Sequence, residues 1–276
     1  MSDYKETLLA ARIYLREHGI ADADVDAWYL LAYVFGLNRV DFFLQQSNTV
    51  EEDKAAIFME LVRKRASHIP LQYITGTQEF MGLEFSVSED VLIPRQDTEI
   101  LVEEVLKVCK HKTVLDMCTG SGCIITSLAK LGNLEKAVGV DISEKALHLA
   151  KQNAMKHDVK VQFIQSDLFL NVECEYDIIV SNPPYIPTNE INQLMPEVKD
   201  YEPVLALDGS YDGLFFYCNI VASLKGYLKE NGLVFFEIGH NQGMDVKELL
   251  QSAGYYDIRI IQDLSGLDRV IYGKKR

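Results

Sequence analysis

The segment Asn182-Pro183-Pro184-Tyr185 follows an apolar stretch and carries groups that could hold a planar amino group. The side-chain carbonyl of Asn182 and the backbone carbonyl of Pro183 are two acceptors, so both hydrogens of an –NH2 group can be bound. Consecutive prolines stiffen the loop because their rings fix φ. Tyr185 supplies a ring face for stacking. The segment therefore predicts a site for an amide or a nucleobase amine.

A second candidate site is the turn Cys118-Thr119-Gly120-Ser121-Gly122, between a predicted strand and a predicted helix. Glycines in such a turn let the backbone approach a ligand closely. Glycine-bearing turns are common in α/β proteins, so the turn alone is weak evidence. Two acids strengthen it. Asp116 lies at the end of the preceding strand, and Asp141 ends the next one, where an acid can accept hydrogen bonds from ribose hydroxyls.

The spacing of this turn favours S-adenosylmethionine (AdoMet) as its ligand. A dinucleotide site needs Gly-x-Gly-x-x-Gly to hold a pyrophosphate at a helix N-terminus, and no third glycine is in register here. The turn suits a ligand with a carboxylate, a ribose and an adenine but no phosphates. Residues 166–169 could add an acid for the adenine amine and an apolar wall for its ring. If the Asn182 loop holds a substrate amino group beside AdoMet, attack of its nitrogen on the sulfonium methyl group is mainly a matter of positioning.

The elements that must position these residues change in type along the chain. Residues 1 to about 70 predict a small helical bundle, with a capping box at Asp3 and Glu6 and a helix that stops at Gly36. Thr49 is predicted to cap a further helix. The aromatic residues of the bundle are expected in its core: Trp28, Tyr29, Tyr33, Phe35, Phe42 and Phe43.

After the bundle, residues 73–76 and 80–87 alternate apolar and polar side chains around glycines, which predicts a β-hairpin. From residue 94 strands and helices alternate, with a long helix expected at 212–228. This alternation implies an α/β fold with a mainly parallel sheet and helices on both faces. Together with the turn that suits AdoMet and the Asn182 loop, it predicts a Rossmann-like AdoMet-dependent methyltransferase sheet. The predicted domains are a helical substrate-recognition domain (1–70), a hairpin connector (71–92) and a methyltransferase domain (93–276).

The composition excludes several classes of protein. The 276 residues are 48% apolar and 25% charged, which excludes global disorder. We find no apolar run near the ~18–20 residues that span a bilayer and no signal-peptide core. The net charge of −14 disfavours binding to nucleic acid by bulk attraction. The odd number of cysteines and the scattered histidines favour free thiols in a reducing cytoplasm and no metal site.

Several blocks of the sequence resemble the HemK/PrmC family, the peptide chain release factor glutamine N5-methyltransferases. They run in order from about residue 70 to the C-terminus, whereas the N-terminal region matches in size and place more than in motif. The blocks are PLQYITG (70–76), VLIPR (91–95) with DTE (97–99), Asp116 with GSG (120–122), NPPY (182–185), YEP (201–203) with AL (206–207), DGL (212–214), and FEIG (236–239) with QG (242–243).

The resemblance implies AdoMet-dependent methylation of the glutamine side-chain amide in the Gly-Gly-Gln loop of bacterial release factors. Asn182 would contact both the cofactor and the glutamine, and Pro183 and Tyr185 would be catalytic with it. The substrate pocket would be formed by Asn182, Pro183, Pro184 and Tyr185. The cofactor residues implied by motif position are Cys118, Thr119, Gly120, Ser121, Gly122, Asp141, Leu168 (near the adenine) and Asn182.

Two positions depart from the family pattern. Such proteins usually have glycine where Cys118 stands, and we expect a Cβ to be tolerated there if the residue keeps a negative φ. A glycine pair is expected where Gly209 and Ser210 stand. The sequence does not decide which residues at the rim of the site touch the substrate. Arg95, Glu197 and Glu202 are candidates, although exposed charges are usually solvated.

Other functions share part of this pattern. A DNA adenine-N6 methyltransferase could use the same tetrapeptide, but it must flip a base and would carry a basic recognition region. A glutamine methyltransferase acting on a ribosomal protein would differ mainly in its N-terminal module. A protein that only binds AdoMet would be expected to lack Asn182 or Tyr185. We therefore expect a cytoplasmic monomer whose partner is a release factor, with no nucleic acid or membrane partner.

Overall fold

The computed structural model describes residues 2–276. Within them the helices follow the predicted order, with additional short helices in the loops. The α-helices are α1 (Tyr4–Glu17), α2 (Ala23–Phe35), α3 (Arg39–Gln45), α4 (Glu52–Ala66), α5 (Leu71–Thr75), α6 (Thr98–Leu106), α7 (Cys123–Leu131), α8 (Glu144–Lys156), α9 (Pro196–Lys199), α10 (Phe215–Ser223) and α11 (Gly243–Ser252).

The strands form a two-stranded hairpin and a separate seven-stranded sheet. The hairpin consists of β1 and β2, and the remaining strands belong to the sheet. The strands are β1 (Thr77–Phe80), β2 (Leu83–Ser86), β3 (Thr113–Met117), β4 (Lys136–Asp141), β5 (Gln162–Gln165), β6 (Tyr176–Ser181), β7 (Leu228–Glu237), β8 (Tyr256–Gln262) and β9 (Asp268–Lys274).

The chain divides into two compact units. A helical unit contains residues 2–76 together with Met195–Tyr201, and a sheet unit contains Thr77–Leu194 and Glu202–Arg276. The helical unit is thus built from two stretches that are far apart in sequence, and the boundaries predicted at 70 and 92 do not include the second stretch. Those boundaries stay a prediction.

The helical unit has a core formed mainly by one side each of α1, α2 and α4. The predicted capping box at Asp3 is present, and Gly36 ends α2 with φ +67°. The predicted cap at Thr49 is wrong, because α4 begins at Glu52 and Glu51 occupies its N-cap position. The expectation of a core position is wrong for three aromatic side chains that are more than half exposed. Tyr29 and Tyr33 lie on the side of α2 that faces away from the core, and Phe43 lies on α3, a short helix with no buried residue.

A buried ion pair joins the two stretches of the helical unit. Arg65 Nε donates to Asp26 Oδ2 at 2.6 Å, and its Nη2 donates to Glu197 Oε1 at 3.0 Å. His68 Nδ1 lies 3.0 Å from the same Glu197 oxygen. Burial works to raise the pKa of Glu197, but its bonds with His68 and Arg65 outweigh burial and lower it. The Glu197 carboxylate is therefore already paired with Arg65 and His68 inside the helical unit.

The seven-stranded sheet has the order β5-β4-β3-β6-β7-β9-β8. Strands β3 to β7 are parallel, and β9 runs antiparallel to both β7 and β8. Alternate residues of each strand enter opposite faces, so Val114 belongs to the core shared with residues of α6 and α7, while Leu115 belongs to the core shared with residues of α10 and α11. The predicted α/β fold, a mainly parallel sheet with helices on both faces, is confirmed.

Two predicted elements are wrong in type or length. Residues 73–76 lie in and just after the short helix α5 rather than in a strand, so the hairpin is confined to β1 and β2. The expected helix at 212–228 contains only α10. Asp212 accepts a hydrogen bond from the Leu214 backbone before α10, and the chain turns through residues 224–226 to enter β7 at Leu228. Pairing of β7 with β6 therefore ends the helix early.

Candidate active site

The two candidate segments leave the sheet side by side. Strands β3 and β6 are neighbours, and their register pairs Met117 with Ser181. The next residues, Cys118 and Asn182, therefore emerge at the same edge. The Ser181 hydroxyl donates to the Met117 carbonyl at 2.6 Å, which fastens the two strand ends together. The strand order reverses at this point, and in open α/β sheets ligands bind at the carboxyl ends of strands at such a reversal.

A cavity of about 450 Å³ opens at this edge within the sheet unit. Its volume lies in the range of small-molecule sites. Three of the sequence-predicted residues do not line it: Gly122, Pro183 and Tyr185. The predicted residues that do line it are Cys118, Thr119, Gly120, Ser121, Asp141, Leu168, Asn182 and Pro184.

Asp141 is held at the cavity wall by two backbone amides. Gly120 N donates to its Oδ2 at 2.8 Å and Ser143 N donates to its Oδ1 at 2.9 Å. Burial raises the pKa of Asp141, while these bonds act in the opposite direction. A carboxylate has about four lone-pair sites, so Asp141 can still accept a hydrogen bond from a ligand hydroxyl. A Cβ built on Gly120, which has φ +53°, would meet no atom within 4 Å, so the backbone there borders open space.

Gly122 serves helix packing rather than the cavity. It precedes α7 with φ +76°, and a Cβ built on it would lie 2.9 Å from the Ala150 Cβ on α8. A side chain at this position would therefore separate the two helices. Asn153, also on α8, ties the same turn to the hairpin, because its Nδ2 donates to Ser121 O at 2.9 Å and to Ser86 O at 3.0 Å.

The Asn182–Tyr185 loop is clamped from outside by groups that the sequence reasoning did not assign to it. Gln242 Nε2 donates to Tyr185 O at 2.9 Å and to Gly213 O at 3.3 Å, while its Oε1 accepts from Gly239 N at 2.9 Å. A Cβ at Gly209 would lie 2.7 Å from the Tyr185 Cα. Gln242 and Gly213 belong to the family blocks at 242–243 and 212–214. The sequence therefore marked these residues, but it did not show that they hold the Asn182–Tyr185 loop.

The side chains of the loop reach two further residues. The Tyr185 hydroxyl donates to Glu237 Oε1 at 3.3 Å, and Asn182 Nδ2 donates to Thr98 Oγ1 at 3.4 Å. Burial raises the pKa of Glu237 to about 7, against the lowering influence of Thr98, Arg269 and Tyr185. Burial, followed by the nearby Glu237, also raises the pKa of Tyr185, so its hydroxyl stays protonated and can donate.

Comparison with known proteins bears on this site. Residues 6–76 match the family model of the PrmC N-terminal domain, and residues 95–198 match that of the methyltransferase small domain. A release factor glutamine methyltransferase of Geobacter sulfurreducens is 43% identical over 265 residues, covering 95% of this chain and 93% of the relative. One from Fusobacterium nucleatum is 42% identical, covering 95% of this chain and 76% of the relative.

The chain belongs to the release factor glutamine methyltransferase family. It is an enzyme of the protein-(glutamine-N5) methyltransferase class, with the class I methyltransferase fold. Among solved structures, the Thermus thermophilus 16S rRNA N2 G1207 methyltransferase in complex with AdoMet and guanosine has a TM-score of 0.51 at 18% identity, covering 72% of this chain and 50% of that one. At this identity the likeness shows the fold alone.

At Cys118, where the resemblance implies a glycine, the backbone corrects the expectation of a negative φ. Its φ is +62°, in the left-handed region that favours glycine. Thr119 stabilises the turn, because its N donates to Val140 O at 2.9 Å and its hydroxyl donates to the buried Asp116 carboxylate at 2.5 Å. Burial raises the pKa of the Cys118 thiol, which stays protonated. Ser210, at the second departure, likewise has φ +73°.

The candidate lip residues have separate positions. Arg95 lines the cavity and forms an ion pair with Glu202. Glu202 is buried, and it also accepts a hydrogen bond from Ile93 N at 3.4 Å, so it supports the loop before α6 from behind. Glu197 lies in the helical unit with Arg65. In residues 2–276 there is no cluster of three or more potential metal ligands and no helix that could span a membrane.

Proposed function

We propose that this enzyme transfers the methyl group of AdoMet to the side-chain amide nitrogen, N5, of the glutamine in the Gly-Gly-Gln motif of peptide chain release factors. The observation that carries the proposal is the register of Met117 with Ser181, which brings the glycine turn and the Asn182 loop to one cavity. The names of relatives that cover nearly the whole chain support a release factor as the substrate. Release factors act at the ribosome, so we also propose a cytoplasmic location.

The cavity suits AdoMet in size and in the chemistry of its lining. Asp141 would accept hydrogen bonds from the ribose hydroxyls, and Leu168 would pack against the adenine. The turn at residues 118–121 would hold the methionine part, since the open space at Gly120 lets a ligand approach the backbone. AdoMet supplies, when bound, an electrophilic methyl group on a positively charged sulfonium. Gly122 would act through helix packing.

The loop residues bind the substrate amide. In the proposed reaction Asn182 Oδ1 and Pro183 O each accept one hydrogen of the glutamine –NH2, which fixes the nitrogen and increases its electron density. Tyr185 packs beside this group, while its hydroxyl is held by Glu237 and its carbonyl by Gln242. The gain in rate comes from orientation, because a held nucleophile replaces a bimolecular encounter. The nitrogen gains the methyl group as the sulfur–methyl bond of AdoMet breaks to leave a neutral thioether, and the nitrogen releases one proton to solvent.

The experiment that tests this function offers the enzyme four substrates separately. Purified full-length protein and AdoMet are mixed with a release factor, with its Gly-Gly-Ala variant, with ribosomal proteins, and with duplex DNA. Tandem mass spectrometry then locates any added methyl group. We expect one methyl group on the Gly-Gly-Gln glutamine and none on the variant. A methyl group on adenine, on a ribosomal protein alone, or on no substrate would contradict the proposal.

A further inference from the structure

The Asn182 side chain can act as an acceptor only in one of its two orientations. Its amide has a carbonyl oxygen on one side and an –NH2 group on the other, and the two differ little in shape. With Nδ2 toward a substrate –NH2, two donors would face each other and no hydrogen bond would form. The enzyme therefore needs a partner that distinguishes Nδ2 from Oδ1.

Thr98 is placed to make that distinction. It is the first residue of α6, only 3% exposed, and it lines the same cavity as Asn182. Its Oγ1 accepts a hydrogen bond from Asn182 Nδ2 at 3.4 Å. A hydroxyl can donate as well as accept, so this contact alone does not determine which end of the amide it selects. The hydroxyl proton must be directed elsewhere.

Glu237 supplies the acceptor for that proton. It ends β7, is 2% exposed, and the nearby Thr98 hydroxyl works to lower its pKa. Its Oε1 accepts from Tyr185, while Oε2 is buried and has no hydrogen-bond partner among the described residues, so it is an acceptor still to be filled. An ionised carboxylate accepts and does not donate. When Glu237 is ionised, the Thr98 proton can turn to it, and the oxygen lone pair of Thr98 is then left for Asn182 Nδ2.

We propose that Thr98 is a positioning residue that, backed by Glu237, holds Asn182 with Nδ2 turned to Thr98 and Oδ1 free to accept from the substrate amide. The inference deepens the proposed function and rests on it, because an acceptor is needed only for a substrate that donates. Thr98 acts through Asn182. The same carboxylate accepts from the Tyr185 hydroxyl, so one buried group orients both Asn182, through Thr98, and Tyr185.

The first test compares two substitutions of Thr98 in the full-length enzyme. Thr98→Val keeps the shape and removes the hydroxyl, whereas Thr98→Ser keeps the hydroxyl and removes a methyl group. We expect Thr98→Val to lower kcat about tenfold to a hundredfold, as misorientation of a catalytic group does. KM for the release factor and Kd for AdoMet should change little, and Thr98→Ser should restore kcat nearly to the wild-type value.

The matched control is Thr126→Val, which removes the hydroxyl of another buried threonine. Thr126 lies on α7, and its Oγ1 has no hydrogen-bond partner among the described residues. We expect this variant to keep the wild-type kcat. The inference is overturned if Thr98→Val also keeps the wild-type kcat, or if Thr98→Ser loses as much activity as Thr98→Val, which would assign the effect to packing.

A second measurement needs no substrate. In ¹H–¹⁵N spectra of the AdoMet-bound protein, the Asn182 side-chain signals are assigned by their loss in Asn182→Ala. We expect Thr98→Val to shift the Nδ2 proton that faces Thr98, and Thr98→Ser to leave it nearly in place. Unchanged signals in Thr98→Val would overturn the inference. If no release factor is methylated, the proposed function fails, while these spectra still decide the orientation of Asn182.

Discussion

Cys118 is a residue with a side chain at a backbone position that favours glycine. The left-handed conformation costs a non-glycine residue roughly 1–2 kcal/mol, and the side chain recovers part of this cost by packing against the core of the sheet unit. The turn is held in this conformation by the bonds of Thr119. Backbone strain and side-chain packing therefore oppose each other at this residue.

Two substitutions at Cys118 separate these effects. Cys118→Ala removes the sulfur and keeps the strain, whereas Cys118→Gly removes both. We expect Cys118→Gly to be more stable than Cys118→Ala by about 1 kcal/mol, because only glycine adopts this φ without cost. Denaturant unfolding of both variants measures the difference. Equal stabilities, or a less stable glycine variant, would show that the turn is not strained at this residue.

Glu237 has a pKa that should make stability depend on pH. Burial raises its pKa in the folded enzyme to about 7, against 4.5 for a free carboxyl. Between these values the folded state binds a proton that the unfolded state has lost, so the contribution of Glu237 to stability falls as the pH rises from about 4.5 to 7. By linkage the total change is up to about 3 kcal/mol.

The test compares the wild type with Glu237→Gln, which cannot titrate. The free energy of unfolding is measured for both at pH 5 and pH 8. We expect the wild type to lose up to about 2–3 kcal/mol relative to the variant over this interval. Parallel pH dependences would contradict the assignment. We also expect Glu237→Gln to lower kcat. An amide accepts hydrogen bonds more weakly than a carboxylate, and its –NH2 group can donate to Thr98 or Tyr185 instead of accepting from them.

At the scale of elements, the substrate loop is held by the start of α11. Gln242 uses its whole side-chain amide to bind Tyr185, Gly213 and Gly239. This clamp joins the ends of β6 and β7 to the loop before α10. A loop with two prolines is stiff in itself, but its placement over the cavity depends on such contacts.

Removing this clamp should affect the loop more than the cofactor site. We expect Gln242→Ala to lower kcat at least tenfold and to cost about 1–3 kcal/mol of stability, because buried carbonyls lose their donor. AdoMet affinity should stay within about threefold of the wild type, a change of under 1 kcal/mol. The control is Gln251→Ala, an exposed glutamine on the same helix. Calorimetry and steady-state kinetics measure these effects, and a wild-type kcat in Gln242→Ala would contradict the role of the clamp.

The elements that sequence reasoning predicted are those with a strong local pattern. The buried parallel strands and the capped helix α1 follow from apolar periodicity and a capping box. The wrong predictions concern segments whose secondary structure is determined by tertiary contacts. Residues 73–76 alternate like a strand but form α5, and the expected helix at 212–228 gives way to β7 because that strand pairs with β6. A local pattern does not contain these pairings.

At the scale of the whole molecule, the site is assembled from distant parts of the chain. The sequence motifs predicted both the glycine turn and the Asn182 loop, but their adjacency depends on the strand order β3-β6. Thr98, Glu237 and Gln242 come from three other elements. Their roles could not be predicted because a lone threonine or glutamine has no chemical signal until its partners are known.

The net charge of −14 acts at this scale too. The tetrapeptide serves an adenine amine as well as a glutamine amide, and a structural relative that acts on RNA shares the fold. The net charge therefore helps to distinguish a protein substrate from a nucleic acid, which the chemistry of the tetrapeptide does not do. An acidic chain disfavours a phosphate backbone as partner, which agrees with the family to which the chain belongs.

The most direct measurement compares the wild type with Asn182→Ala in methylation of a release factor, with Asn189→Ala, an exposed residue further along the same loop, as control. We predict that the wild type and the control place one methyl group on the Gly-Gly-Gln glutamine, detected by tandem mass spectrometry. Asn182→Ala should lose this transfer while it still binds AdoMet, because the amide loses an acceptor. Transfer by Asn182→Ala at the wild-type rate, or a methyl group at another position, would contradict the account.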